Sequence, residues 1–313
     1  MTAGIAAAEV TFSGTAKFGY NDTDHASGAS ASEPFSDMDL NIAFSKELDN
    51  GYTAAASVEL DYADGNQGND ISASDALISL TNADSGIHYG DTKHAAQNAW
   101  SSVGSMDNDA FRAADGEMVT RADMTLGGAK VSVSLGDDTN LTTATPPGTE
   151  TDYMSLGITG TAGAFTYALA AQNANTAWLD NDDNSAASQL STTGVRVSTT
   201  WGGATVALGH ATNNNGGSTG VEVSYPMGAL TTTASYVAED ATGAKANWDV
   251  KVVYAEGAMG VTVATDESDD WNVDVSYDMG NGMNLFIGAD DGGKDTYAGL
   301  SYDLGGGASL LAS

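Results

Sequence analysis

The sequence has 313 residues, contains no cysteine and carries a formal net charge of −32. This acidity excludes a nucleic-acid-binding surface, because such surfaces depend on Lys and Arg to neutralise phosphates. No stretch approaches the apolar run of about 18 residues that a membrane-spanning helix requires, so any membrane crossing must use strands. Gly, Ala, Ser, Thr, Asn and Asp dominate the chain, as is typical of short strands joined by turns.

The first eight residues are rich in alanine and end in an Ala-x-Ala sequence immediately before Glu9. A site of this kind is typical of the end of a secretory signal peptide. We therefore predict that residues 1–8 are the remnant of a signal peptide, with Met1 an internal methionine of a longer precursor. Residues 9–313 are predicted to form one domain.

From Glu9 onward, apolar and polar residues alternate with a period of two, which predicts strands with one apolar and one polar face. The run from Trp271 to Asp290 shows the pattern most clearly. Its odd positions from Trp271 to Met279 are apolar, Gly280-Asn281-Gly282 predicts a tight turn, and the apolar positions then resume. The whole sequence contains nineteen such runs, one initial strand followed by nine hairpins.

The connections between these runs alternate between tight glycine turns and longer loops rich in Asp, Asn and Ser. An aromatic residue recurs just before the tight turns, at Trp201, Tyr225, Tyr254, Tyr277 and Tyr302. In a soluble sandwich these rings would fill the core, whereas in a membrane barrel they would form a girdle at one interface. The one-sided alternation favours an all-β, transmembrane, antiparallel up-and-down β-barrel of 16 or more strands.

The hairpins, together with the opening segments 9–14 (EVTFSG) and 17–20 (KFGY), resemble the general-diffusion porins of alphaproteobacterial outer membranes. The resemblance extends over nearly the whole chain. It implies a homotrimer in the outer membrane, in contact with lipid and lipopolysaccharide. Each barrel would enclose a water-filled pore for ions and small hydrophilic solutes, narrowed by a third long loop that folds inward.

The sequence departs from the pattern of that family at its end. Porins of this kind finish in a strand whose last residue is aromatic, whereas this chain finishes at Ser313. Single-chain bacterial barrels also have an even number of strands. With nineteen runs, we expect that at least one closing C-terminal strand is missing.

The segment from His94 to Met118 is the third long loop. Connections longer than about 12–15 residues are uncommon unless they are functional. By the resemblance this loop is the pore constriction, and Trp100, Met106 and Phe111 are expected to pin it to the wall. Its acidic side chains oppose a single arginine, Arg112, and the predicted constriction residues are Asp107, Asp109, Asp115 and Glu117.

Four basic residues share the parity of the polar face, namely Lys17, Arg121, Arg196 and Lys251. Side chains of the polar face would point into the lumen of the barrel. For a charged residue this costs less free energy than the lipid face, where a charge costs about 2–4 kcal/mol at the membrane midplane. An acidic loop opposite a basic wall would set a transverse field across the pore, while the acidic excess concentrates cations. The alternative interpretation is that these are scattered, solvated charges.

Acidic loops also suggest calcium. Asp180, Asp182 and Asp183 offer the oxygen ligands that Ca²⁺ prefers, although a solvated acidic loop is the favoured interpretation of any one such cluster. The main alternative function is therefore a secreted or surface-layer calcium-binding structural β protein, which explains the acidity but not the alternation or the aromatic positions. The chain has no HExxH or GxSxG motif and no cysteine, so we predict no enzymatic activity and no other cofactor.

Overall fold

The computed structural model describes residues 9–23, 31–63, 71–111, 118–137, 153–173, 191–241, 243–291 and 295–313. In these residues the chain forms nineteen strands and one short helix, α1 (Ala95–Ala99). Within these ranges, no helix is long and apolar enough to cross a membrane. The strands are β1 (Glu9–Thr23), β2 (Ala31–Glu47), β3 (Thr53–Ala63), β4 (Ile71–Thr81), β5 (Ser85–Gly90), β6 (Met118–Leu126), β7 (Ala129–Asp137), β8 (Tyr153–Ala162), β9 (Phe165–Gln172), β10 (Thr192–Trp201), β11 (Ala204–Asn213), β12 (Gly216–Met227), β13 (Leu230–Glu239), β14 (Asn247–Glu256), β15 (Met259–Asp266), β16 (Trp271–Gly280), β17 (Met283–Asp290), β18 (Thr296–Gly305) and β19 (Ala308–Ala312).

All nineteen strands belong to one antiparallel sheet. Consecutive strands pair with each other from β1 to β7 and again from β9 to β19. This up-and-down order matches the nineteen runs predicted from the sequence. The predicted hairpin at Trp271–Asp290 is formed by β16 and β17, with the turn at residues 281–282.

The chain forms two compact units. The first contains β1 to β7 and the beginning of β8. The second contains residues 99–111, the rest of β8 and β9 to β19. In both, short turns alternate along the chain with longer connections, and the third of the longer connections is residues 91–117. One connection in the longer series is itself short, at residues 214–215 between β11 and β12, where the Asn213 side chain accepts from the Asn215 N–H at 2.8 Å.

Residues with a positive φ angle make the tight turns possible. In the turn between β16 and β17, Asn281 has a φ of 54° and Gly282 a φ of 81°. A two-residue hairpin of the type that matches strand twist requires positive φ at both central residues, and Asn-Gly is the pair that adopts it most readily. The sequence signal at this turn therefore has a direct conformational cause.

The sheet has two chemically different faces. We call the face that contacts residues 92–111 the loop face, and the opposite one the apolar face. Large side chains such as Phe12, Leu208 and Trp201 stay more than half exposed on the apolar face. In the second unit, the aromatic residues that precede the tight turns all lie on this face, and cross-strand pairs join Leu230 to Tyr254, Met259 to Tyr277 and Met283 to Tyr302.

The buried apolar cluster of the second unit lies beneath the loop. It consists of Val103 and Met106 from the loop and Ala207, Ala211 and Val237 from the strands, with Trp100 packed against it. In the described part of the second unit, the buried apolar cluster therefore lies on the loop face, under the docked loop. The large side chains of the apolar face remain exposed.

Candidate functional site

The loop begins where β5 ends, and Arg121 of β6 holds its first residues. The Arg121 guanidinium donates to the Lys93 carbonyl oxygen at 2.7 Å and to Thr92 Oγ1 at 3.0 Å. Arg121 is buried, and its Nε lies 3.2 Å from an Asp123 carboxylate oxygen. This arginine therefore fixes the base of the loop.

Two serines of the sheet bind the start of α1. The Ala95 N–H donates to Ser134 Oγ at 2.9 Å, and the Ala96 N–H donates to Ser155 Oγ at 3.1 Å. The two hydroxyl oxygens lie 2.8 Å apart, and His94 is fully buried beside them, with Nδ1 3.4 Å from Ser134 Oγ. The first N–H groups of a helix have no partner within the helix. The sheet satisfies two of them here and so orients the loop.

In the second unit, Trp100 contacts both the sheet and other residues of the loop. Its ring lies over Gly194 of β10, where a Cβ would fall 2.5 Å from Trp100 Cζ3. Its Nε1 donates to Asp109 Oδ2 at 2.9 Å, Ser102 Oγ donates to the same carboxylate oxygen, and the ring centroid lies 5.4 Å from that of Phe111. The loop is therefore closed on itself by a tryptophan and an aspartate.

Val103 and Met106 dock the tip of the loop on two glycines. A Cβ at Gly209 of β11 would lie 2.7 Å from Val103 Cγ2, and a Cβ at Gly220 of β12 would lie 3.2 Å from Met106 Cε. Both glycines lie inside strands, and a glycine in a strand interior often marks a place where another backbone or side chain approaches closely. Trp100, Met106 and Phe111 were predicted to pin the loop to the wall. Trp100 and Met106 do contact the strands, Phe111 packs against Trp100, and Val103 and the glycines were not predicted.

Glu239, at the end of β13, accepts three hydrogen bonds around the loop. The donors are the Asp107 N–H at 3.1 Å, Asn108 Nδ2 at 2.9 Å and Ser218 Oγ at 2.5 Å. The Asn108 N–H also donates to Ser218 Oγ at 2.9 Å, and Asn108 is buried. Residues 107–108 of the loop are thus held by a carboxylate of strand β13 rather than by a basic residue.

Asp249 of β14 forms a second carboxylate anchor. Its Oδ2 accepts from Ser105 Oγ at 3.0 Å and from Ser235 Oγ at 2.8 Å. The neighbouring Asn247 donates from Nδ2 to the Ser105 carbonyl oxygen at 2.8 Å and to Asp107 Oδ1 at 3.2 Å. Neither Glu239 nor Asp249 was among the residues singled out in the sequence, although both lie on the polar parity of their strands.

The predicted acidic constriction residues have different surroundings. Asp107 is exposed at the loop surface, whereas Asp109 is partly buried and accepts the internal bonds from Trp100 and Ser102. Asp115 and Glu117 lie outside the described residues.

The four predicted basic residues all have the parity of the loop face. Lys17 of β1 donates to Asp37 Oδ2 at 3.0 Å, and Arg121 holds the loop base as described. Arg196 of β10 lies directly opposite Gly209, while Lys251 of β14 lies opposite Ala264. The sheet therefore brings Arg196 close to the docked loop tip, and it does not present Arg121 as a free cation.

The predicted calcium ligands Asp180, Asp182 and Asp183 lie outside the described residues. Within the first unit, Asp39, Glu59 and Asp61 each place a carboxylate oxygen within 4.8 Å of the other two. Because Ca²⁺ takes about six to eight oxygen ligands, three carboxylates alone do not make a calcium site.

An up-and-down antiparallel sheet with an open apolar face, and an ordered loop docked on its polar face, defines the class of membrane β-barrel channels. The sequence model of the Gram-negative porin family matches residues 1–313. The chain therefore belongs to the Gram-negative porin family. A comparison with curated proteins found no match.

Solved porin structures have the same fold. A triple mutant of the Rhodopseudomonas blastica porin matches with a TM-score of 0.57 and 16% identity, over 90% of this chain and 100% of that one. A second triple mutant of that porin matches with a TM-score of 0.58 at the same identity and coverage. A third triple mutant matches with a TM-score of 0.56, again with 16% identity over 90% of this chain and 100% of that one.

Family and fold together confirm the prediction of an outer-membrane porin with a β-barrel fold and an inward-folded third long loop. The protein is located in the outer membrane, and its family and fold are those of a channel rather than an enzyme. The alternative of a secreted or surface-layer structural protein is therefore set aside. The exposed side chains of the apolar face have the chemistry that lipid contact requires.

Proposed function

We propose that this porin is a passive, cation-preferring channel for ions and small hydrophilic solutes, and that it works as a homotrimer embedded in outer-membrane lipid and lipopolysaccharide. The loop that begins at Asp91 is its constriction. Structural Ca²⁺ at Asp180, Asp182 and Asp183 belongs to the same proposal. The observation that carries the cation preference is the charge of the loop face beside the docked loop.

In the second unit, carboxylates outnumber cations on this face. The strand pairings of β12 to β18 place eight acidic residues on the loop face. Among the described strands β9 to β19, the basic residues on that face are Arg196 and Lys251. The acidic residues are Glu222, Glu239, Asp249, Asp266, Asp274, Asp278, Asp290 and Asp303. A water-filled path lined by one sign of charge concentrates the opposite ions.

The constriction role is supported by how firmly the loop is held. Buried apolar contacts, two bound helix N–H groups and two wall carboxylates fix residues 92–111 against the loop face. A loop held at this many points can narrow a pore to a constant width. Asp107 is its exposed carboxylate within the described part of the chain and so the one placed to meet passing ions.

Reversal potentials in planar bilayers under a KCl gradient test the proposal. We expect the wild-type channel to give a potential of the sign for K⁺ over Cl⁻. A variant with Asp107→Asn, Asp109→Asn, Asp115→Asn and Glu117→Gln should move it toward zero, because local negative charge is lost. An unchanged potential in that variant would remove the loop from the selectivity-determining region, and an anion-selective wild-type channel would contradict the proposal itself.

A further inference from the structure

The second unit contains a cavity of about 670 Å³ on the loop face. It is lined by Gly104 and Ser105 of the loop, by residues of strands β12 to β17 and by Asp270 of the connection between β15 and β16. This volume lies in the range of about 300–1,000 Å³ that is usual for sites of small organic molecules. The cavity lies next to Asp249, which also holds Ser105, so a solute in it would lie against the docked loop.

The cavity is lined by charges of both signs. A preference for inorganic cations would explain the carboxylates but not the single lysine among them. Five carboxylates and one ammonium group, that of Lys251, line the cavity. Lys251 is exposed, and within the part of the chain that the structure describes it forms no ion pair and donates no hydrogen bond. The five acidic residues are Glu222, Asp249, Asp266, Asp270 and Asp290.

Strand registers separate the two kinds of charge. Asp249 and Lys251 lie on the same face of β14, two residues apart, and Asp266 lies directly opposite Asp249 on β15. Lys251 itself lies between the uncharged Thr233 and Ala264. Because adjacent strands are about 4.8 Å apart, a molecule of a few bonds reaches from Lys251 to carboxylates one or two strands away.

We propose that this cavity binds amino acids with a cationic side chain, a substrate class that rests on the proposed channel function. The solute carboxylate would accept from the Lys251 ammonium, and its α-ammonium and side-chain cation would each face carboxylates of the cavity. A diamine places a cation against Lys251 without a compensating anion. A neutral amino acid leaves most of the negative potential uncompensated, and an anionic solute is repelled.

Open-channel block in planar bilayers tests this assignment. The probes are L-lysine, its decarboxylated counterpart 1,5-diaminopentane, and L-alanine, each added to wild-type channels in KCl. We expect L-lysine to reduce the open-channel current at the lowest concentration and L-alanine to have no effect in the same range. Since hydrogen bonds between charged groups are among the stronger ones, Lys251→Gln should raise the half-blocking concentration of L-lysine about tenfold. It should leave that of 1,5-diaminopentane unchanged or lower.

Lys245→Gln is the matched control, because it removes the same charge from an exposed residue outside the cavity. It should leave both half-blocking concentrations unchanged. Equal block by L-lysine and 1,5-diaminopentane in the wild type, no effect of Lys251→Gln on block by L-lysine, or no block at all would overturn the inference. The reversal potential of the same channels separates this failure from a failure of the proposed function, because cation preference can persist without any block.

Discussion

At the scale of single residues, glycines in the strands explain how the loop can pack closely against the loop face. Trp100 occupies the space that a side chain at Gly194 would fill, and Val103 and Met106 do the same at Gly209. Protein interiors are close-packed, so a side chain added at such a point displaces its neighbour. The glycines of β10 and β11 are thus as much a part of the constriction as the residues of the loop.

Gly194→Val tests this account of loop docking. The added side chain would meet the Trp100 ring, and overpacking of this kind typically costs about 1–3 kcal/mol. We expect the loop to leave its docked position for part of the time, and single-channel recordings should therefore show added conductance levels. Thr200→Val is the control, since it lies on the same face of the same strand near the turn and is exposed. Identical recordings from Gly194→Val and wild type would argue against a tight contact.

At the scale of the structural element, the loop is attached to the sheet by acidic groups. One backbone N–H group, that of Asp107, together with an asparagine amide and serine hydroxyls of the loop and the strands, donates to Glu239 and Asp249. Hydrogen bonds to a charged acceptor are shorter and stronger than those between neutral groups. The same carboxylates therefore add negative charge to the loop face and also hold the loop that docks on it.

Glu239→Gln separates these two roles when it is compared with Glu222→Gln. Both changes remove one negative charge from the loop face, but only Glu239 accepts from loop residues among the described contacts. We expect similar small reductions of cation preference in both reversal potentials. Only Glu239→Gln should add current fluctuations, because an unsatisfied buried donor costs about 1–3 kcal/mol. Equal noise in the two variants would show that Glu239 is not an anchor.

At the scale of the whole molecule, the sequence predicts strands far better than it predicts the site. Alternation and turn chemistry are local, and so the nineteen runs and the bounds of β16 and β17 were correct. Which carboxylates hold the loop depends on contacts such as that between Asp107 and Glu239, more than a hundred residues apart. Asp109 was predicted to line the constriction, whereas its hydrogen bonds with Trp100 and Ser102 within the folded loop were not predicted. Gly194, Gly209 and Gly220, which lie inside strands, are a local signal of docking that the sequence does contain.

The most direct test of a constriction docked in the conducting channel is a cross-link between Val103→Cys and Gly209→Cys. A Cβ at residue 209 would lie 3.1 Å from that of residue 103, close to the Cβ separation of about 3.5–4.5 Å found in disulfides. The chain has no other cysteine, so loss of free thiols reports this bond alone.

The measurement is the single-channel conductance and reversal potential of the double variant before and after oxidation. We predict that oxidation removes the free thiols while the channel keeps the same conductance step and the same cation preference, because the loop is already docked when ions pass. A cross-linked channel that conducts only after reduction, or a pair of cysteines that never forms the bond, would contradict the account.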